Sequence, residues 1–274
     1  MTKPKPIPKK VIIPGQKKQE AKSKKLLRQE KGFFDNRTVL LIVILVITFI
    51  AFLPSLSGQF IRSWDDNAYV TDNPLITQLN WESIKGFFTN QTNGTYVPLP
   101  LLSWAIEFQL FGLHPFAYHL DNLLIHLLCT SLVFYFFILL RIPLMYAALG
   151  ALLFGIHPMR VESVAWVTER KDLLFCVFYL GSLIMYCKYI LSEKEKPNYF
   201  LLTLLFFVFS LFSKIQAVSL PLTLILLDYW YVRPLKWKLL WEKIPFFVLS
   251  IGFGLSGYLI LQHLQVIDIH DKYT

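Results

Sequence analysis

Apolar residues run along this chain in unbroken blocks, with polar positions gathered between them. Seven blocks stand out, at 38–56, 116–140, 143–157, 172–190, 199–213, 216–232 and 244–262. A helix needs about 20 apolar residues to cross a hydrocarbon core roughly 30 Å thick, and several blocks reach or approach that length. Lipid offers no partner to backbone N–H and C=O groups, so only helices or closed barrels span it. The blocks show no period-two alternation. The pattern therefore predicts an all-α polytopic membrane protein of about seven transmembrane helices. The longest connection, 57–115, carries two further helical stretches, "WESIKGFF" (81–88) and "YVPLPLLSWAIEFQLFGL" (96–113). The second is apolar enough to lie in the interface, with Trp104 as an anchor.

Composition agrees: the 274 residues are 55% hydrophobic, 16% aromatic and only 16% charged, against roughly a quarter charged in soluble domains. Charge adds orientation. Residues 1–31 hold eleven Lys or Arg against Glu20 and Glu30, a net +9 equal to that of the whole chain. No aromatic or folded module accompanies this charge, so nucleic-acid binding is the weaker reading. The stronger one is a disordered, basic cytoplasmic tail over 1–37 that orients the chain and touches anionic lipid. No small-residue cleavage site follows the first apolar block, so a signal peptide is not indicated. With the tail inside, 20 of the 27 basic residues fall on the inner side, as the positive-inside rule expects. The 57–115 segment then faces outside. A bacterial-type plasma membrane is the expected home.

Polar residues near the apolar blocks need a reason. Asp65 and Asp66 stand side by side in "SWDDNAYVTDNP" (63–74). A helix cap explains one carboxylate and leaves the other unexplained. His119, Asn122 and His126 share one helical face of the second block. They form either a satisfied interhelical network or a cavity wall; their spacing matches no standard metal motif. The next outside segment, "HPMRVESVAWVTERKD" (157–172), carries His157, Arg160, Glu162, Glu169, Arg170, Lys171 and Asp172. Glu169 and Asp172 are candidate caps for the fourth span, and the arginines are either flanking charges or an anion site. Lys214, in a tight turn, either snorkels or meets a phosphate. The three cysteines form no CxxC pair and read as small buried side chains. "LFGLHP" (110–115) and "LFGIHP" (153–158) read as the ends of two antiparallel elements rather than a duplication.

The order of motifs is specific. "WDDNAYVTDNP", "YVPLPLLSWAIEFQLFGLHPFAYHLDNLLIHLL", "FGIHPMRVESVAWVTERKDLL" and "SKIQAVSLPLTLILLDYW" follow one another. Over about 38–235 they resemble the membrane region of the transmembrane and tetratricopeptide-repeat-containing O-mannosyltransferase family and its bacterial relatives, in the GT-C glycosyltransferase superfamily. The resemblance implies a GT-C-like transmembrane domain over 38–262. It implies transfer of a mannose-like sugar from a polyprenyl-phosphate donor to a hydroxyl acceptor, a protein Ser/Thr or a glycan, outside the membrane. It places the catalytic acid on Asp65 and Asp66, with Asp66 as base, Asp65 as its support and Glu162 as runner-up. Arg160, Arg170, Lys214 and His157 then become candidates to meet the donor phosphate. A divalent cation bridging the two aspartates is left open, and no cofactor is assigned.

Relatives carry further helices and then tetratricopeptide repeats. This chain shows no 34-residue repeat and reads as truncated at "DIHDKYT", where 263–274 would begin another outside loop. That leaves room for a partner chain supplying missing helices. The alternative to an enzyme is a non-catalytic lipid-binding or assembly protein that keeps the family's helices. A transporter is less favoured, since inverted repeats and paired charges in several spans are missing.

Overall fold

The computed structural model describes residues 36–192, 196–234 and 236–263. Of the expected tail only Asn36 and Arg37 lie within them, and the expected final loop lies outside them from residue 264 on. The chain divides into two compact units, 1–40 and 41–274. In the first, Asn36 opens a helix by accepting the Thr38 N–H at 3.0 Å, which satisfies one of the orphan donors at a helix start.

Every apolar block is a helix. Among the described residues there are ten α-helices: α1 (Arg37–Phe52), α2 (Trp81–Thr89), α3 (Pro98–Phe111), α4 (Pro115–Leu139), α5 (Leu144–Ile156), α6 (Arg160–Ala165), α7 (Arg170–Leu191), α8 (Pro197–Ser213), α9 (Leu220–Trp230) and α10 (Trp237–His263). Among the described residues four stretches are long and apolar enough to cross a membrane: Arg37–Ser57, Pro115–Leu139, Val167–Leu191 and Trp237–Leu259. The apolar helices Leu144–Ile156, Pro197–Ser213 and Ile215–Trp230 are shorter. The protein is an all-α polytopic membrane protein, as the sequence pattern predicts. Proline opens α3, α4 and α8, where its missing N–H costs nothing and its fixed φ suits the first turn. The apolar run of the last block begins at residue 244, but α10 begins seven residues earlier, at Trp237. Its first turns are polar because Glu242 and Lys243 are ion-paired within the fold.

The two similar hexapeptides serve different ends. Gly112 terminates α3 in the left-handed region at φ +58°. Gly155 lies inside α5, where a Cβ would run into the Thr48 hydroxyl of α1. That close approach seats α5 against α1 and α4.

Apolar packing falls into separate groups. Tyr186, Phe207, Leu211, Leu224 and Phe246 join α7, α8, α9 and α10. Tyr69, Ile76, Phe87, Trp104 and Tyr118 form a second group. It packs the 57–115 connection and its helices α2 and α3 onto the start of α4, at the end of the bundle where α7 begins. That packed layer carries the candidate site.

Candidate active site

The aspartate pair sits in the turn before a short π-helical turn, Asn67–Thr71, and its two carboxylates face different ways. Asp66 has no exposed surface. One of its oxygens accepts the Ile61 N–H at 2.7 Å and the other accepts the Thr168 N–H at 3.2 Å. Asp66 thus ties the connection to the segment before α7. Asp65 keeps 35% side-chain exposure. Its Oδ1 accepts from the Asn93 amide at 2.9 Å, and its Oδ2 lies 3.5 Å from Lys171 Nζ.

Asn93 reaches Asp65 because of a tight turn at "TNGT" (92–95). Thr92 and Thr95 pair as an isolated bridge, and the two residues between them are left-handed, Asn93 at φ +48° and Gly94 at φ +72°. Asn-Gly is the favoured pair for a turn with both central residues there. Tyr69 braces it: its hydroxyl contacts Thr95 Oγ1 at 2.5 Å and donates to the Thr92 carbonyl at 3.0 Å. Burial, with the nearby charges of Asp65 and Glu169, pushes the Tyr69 phenol up to about 12 against the Thr95 hydrogen bond.

From Asp65 a line of alternating charges runs inward. Lys171 Nζ lies 3.5 Å from Glu169 Oε1, Lys214 Nζ lies 3.2 Å from Glu169 Oε2, and Lys214 also pairs with Asp172. Lys171 lies over the Tyr69 ring, 4.5 Å from its centre, a cation–π contact. Burial pulls the Lys214 ammonium down, but Asp172 and Glu169 outweigh it and hold the group above the ordinary lysine range. Both lysines line a cavity of about 170 Å³ together with Thr95, Tyr96, Phe253 and Gly257. Two ammonium groups that line one cavity, with a part-exposed carboxylate in contact with one of them, can hold an anion and take a proton.

The other expected residues lie elsewhere. Arg170 is wholly buried on another face of α7. Its guanidinium donates to Asn122 Oδ1 at 2.8 Å, Glu107 Oε2 at 2.5 Å and the Tyr118 carbonyl at 3.1 Å, and pairs with Asp121 at 3.2 Å. It joins α3, α4 and α7 and presents no free surface to a phosphate. Arg160 lies over the Phe154 ring, 4.7 Å from its centre, and borders a narrow cleft with Asp172 and His126. Glu162 is exposed on α6, outside the line of ion pairs, and His157 is exposed at the end of α5. The stripe on α4 is buried. Asn122 donates to the Trp166 carbonyl at 3.1 Å and His126 contacts the Gly155 carbonyl at 2.8 Å, the arrangement of an interhelical network. His119 packs against Gly58. Glu169 and Asp172 make no side-chain cap; they pair with the lysines. Among the described residues no group of three or more His, Cys, Asp or Glu side chains is placed to hold a metal ion, so the structure assigns no ligands to a divalent cation.

Sequence reasoning named Lys171 only among the charges of 157–172 and did not single out Asn93. It also passed over a second charge cluster, at the far end of α7. Asp228 pairs there with Arg233 at 2.9 Å and with Lys243 at 2.7 Å. Glu242 pairs with Arg233 at 2.9 Å and accepts from the Tyr189 hydroxyl at 2.9 Å. The Tyr186 hydroxyl donates to Asp228 at 2.7 Å and accepts from Arg233 at 3.0 Å and from Lys243. Arg233 and Lys243, counted as loop charges from the sequence, are thus paired within the fold.

The chain is 31% identical over 144 residues to protein O-mannosyl-transferase TMTC1 of Mus musculus, covering 48% of this chain and 15% of the relative. It is 32% identical over 148 residues to TMTC2 of Homo sapiens, covering 50% and 17%. It is 28% identical over 187 residues to Tmtc1 of Drosophila melanogaster, covering 63% and 21%. The chain thus spans about a fifth or less of the length of these relatives. No family model and no solved structure matches.

Proposed function

Since the chain is related to the TMTC protein O-mannosyl-transferases, and through them to the GT-C glycosyltransferases, we propose that it transfers a mannose-like sugar from a polyprenyl phosphate to a protein hydroxyl. The relatives are named protein O-mannosyl-transferases, which supports the sugar and the protein acceptor. The donor is our reading of the site. One observation carries it: Lys171 touches Asp65 and lines the same cavity as Lys214. In this scheme the acceptor oxygen attacks the anomeric carbon, and the bond from that carbon to the phosphate oxygen breaks. The electron pair leaves with the phosphate, whose charge Lys171 and Lys214 balance, and the acceptor proton passes to Asp65. Asp65 takes the role that the resemblance gave to Asp66, because it is the accessible member of the pair. Asp66 holds the turn. Arg160 stands behind Asp172 and adds positive charge to the phosphate side. In the orientation we favour, the basic tail is cytoplasmic and this end of the bundle faces outside.

A non-catalytic assembly role has one observation in its favour: both lysines are already ion-paired. The two aspartates separate the readings. With the protein assayed for transfer from polyprenyl-phosphate sugars, Asp65→Asn is expected to lower turnover by about 10²–10⁴-fold with thermal unfolding unchanged. Asp66→Asn replaces an acceptor oxygen by an NH₂ group and orphans a buried N–H. It is expected to destabilise the fold by about 1–3 kcal/mol. Parent-like turnover of Asp65→Asn, where the parent is active, would return the pair to structure.

A further inference from the structure

Away from the lysine cavity, α3 and α4 leave a groove of about 670 Å³ between them. Its walls are apolar, built from Ile106, Leu110, Phe111 and Leu124, all exposed. Its floor is acidic. Glu107 and Asp121 both line it and both pair with the one guanidinium of Arg170, which also donates to Asn122 and the Tyr118 carbonyl. Two carboxylates on one cation leave the floor one positive charge short. Asp121 is 44% exposed and reachable from the groove. Glu107 is more than nine-tenths buried, and its second oxygen, Oε1, has no hydrogen-bond partner. A buried acceptor without a donor costs about 1–3 kcal/mol, and an uncompensated buried charge costs more. Burial raises the Glu107 carboxyl above the ordinary range, although Arg170 pulls it back. A cation seated in the groove would relieve both deficits.

We propose that this groove binds a membrane lipid with a primary ammonium headgroup. The ammonium donates to Glu107 Oε1 and Asp121, and the chains lie along the apolar walls of α3 and α4. Charge selects this occupant. A phosphatidylglycerol-type head brings a further negative charge to an acidic floor, and a neutral hydroxyl head supplies a donor without the missing charge. The proposal is independent of the transferase reading, because it uses none of the residues assigned to sugar transfer.

The protein would be reconstituted with equal phosphatidylethanolamine and phosphatidylglycerol and extracted, and the retained lipid counted by native mass spectrometry. The parent is expected to keep phosphatidylethanolamine about tenfold over phosphatidylglycerol, as suits a charge-assisted hydrogen bond. Asp121→Asn should bring the ratio close to one. A parent without the preference, which leaves the groove to another helix or to unselected lipid, overturns the proposal, as does a preference that Asp121→Asn leaves intact. A measurement on the parent alone covers misfolding of the variant. Octadecylamine should raise its unfolding temperature and octadecanol should not; equal effects of the two also overturn it.

Discussion

The two ends of α7 carry two buried charge clusters that look alike in composition and differ in construction. At its start, Asp65, Glu169 and Asp172 share Lys171 and Lys214. Near its end, Asp228 and Glu242 share Arg233 and Lys243. The first has three carboxylates for two cations, draws on widely separated segments and keeps Asp65 and Asp172 about one-third exposed. The second is balanced two against two, and a tyrosine hydroxyl ties three of its four charges together. A surplus acid that is part-exposed can change partners. A neutral cluster closed around a hydroxyl is a weld between α7, α9 and α10. Charge alone therefore does not single out a candidate site; the first cluster differs in being unbalanced and reachable.

The comparison breaks most readily at Lys243. Removing one partner of a buried cluster leaves an uncompensated charge, so Lys243→Met is expected to cost about 3–5 kcal/mol. Lys214→Met, at a part-exposed pair, should cost about 1 kcal/mol or less. Denaturant unfolding of both variants tests this, and equal costs would make both clusters structural. A smaller effect concerns the turn. Asn93→Gly keeps the left-handed turn but removes the donor to Asp65, and should lower turnover about tenfold with unfolding nearly unchanged. If unfolding moves and turnover per folded molecule does not, Asn93 belongs to the fold alone. The smallest effect is a pH dependence. The Lys214 pKa is raised in the folded protein. Its stabilising contribution is therefore fully present below the ordinary lysine value and is lost as pH rises through the raised one. Lys214→Met should flatten that alkaline loss, read from unfolding temperature against pH.

Much of the fold was legible because lipid allows so few solutions. The seven apolar blocks map onto helices, and the prolines at 98, 115 and 197 mark helix starts. The site was legible only in part. Asp65 and Asp66 stood out as adjacent like charges, but sequence spacing cannot say which of two neighbours turns inward. The same limit applies on α7. Successive helical residues are rotated by about 100°, so Arg170 meets α3 and α4 while Lys171 meets Asp65. The resemblance made Arg170 a phosphate candidate and left Lys171 without a role. Asn93 was hidden because nothing in its local sequence shows that the turn at 92–95 carries it to Asp65. Arg233 and Lys243 were counted only among the basic residues of the inner side, because nothing in the sequence shows that the chain folds Asp228 and Glu242 around them.

One consequence lies in the brevity of α5. Its 13 residues, Leu144–Ile156, span about 20 Å at 1.5 Å per residue, short of a hydrocarbon core of roughly 30 Å. Exposed Tyr146, Leu149 and Leu153 give it an outward apolar face. A bilayer crossed by α5 must dimple around it, at a fraction of a kcal/mol for each Å of hydrophobic mismatch. Across several Å, such a penalty is enough to sort the protein toward thinner membranes. The dimple would also bring lipid headgroups nearer the bilayer midplane beside α5, so the bilayer's own elasticity becomes part of how this protein is placed.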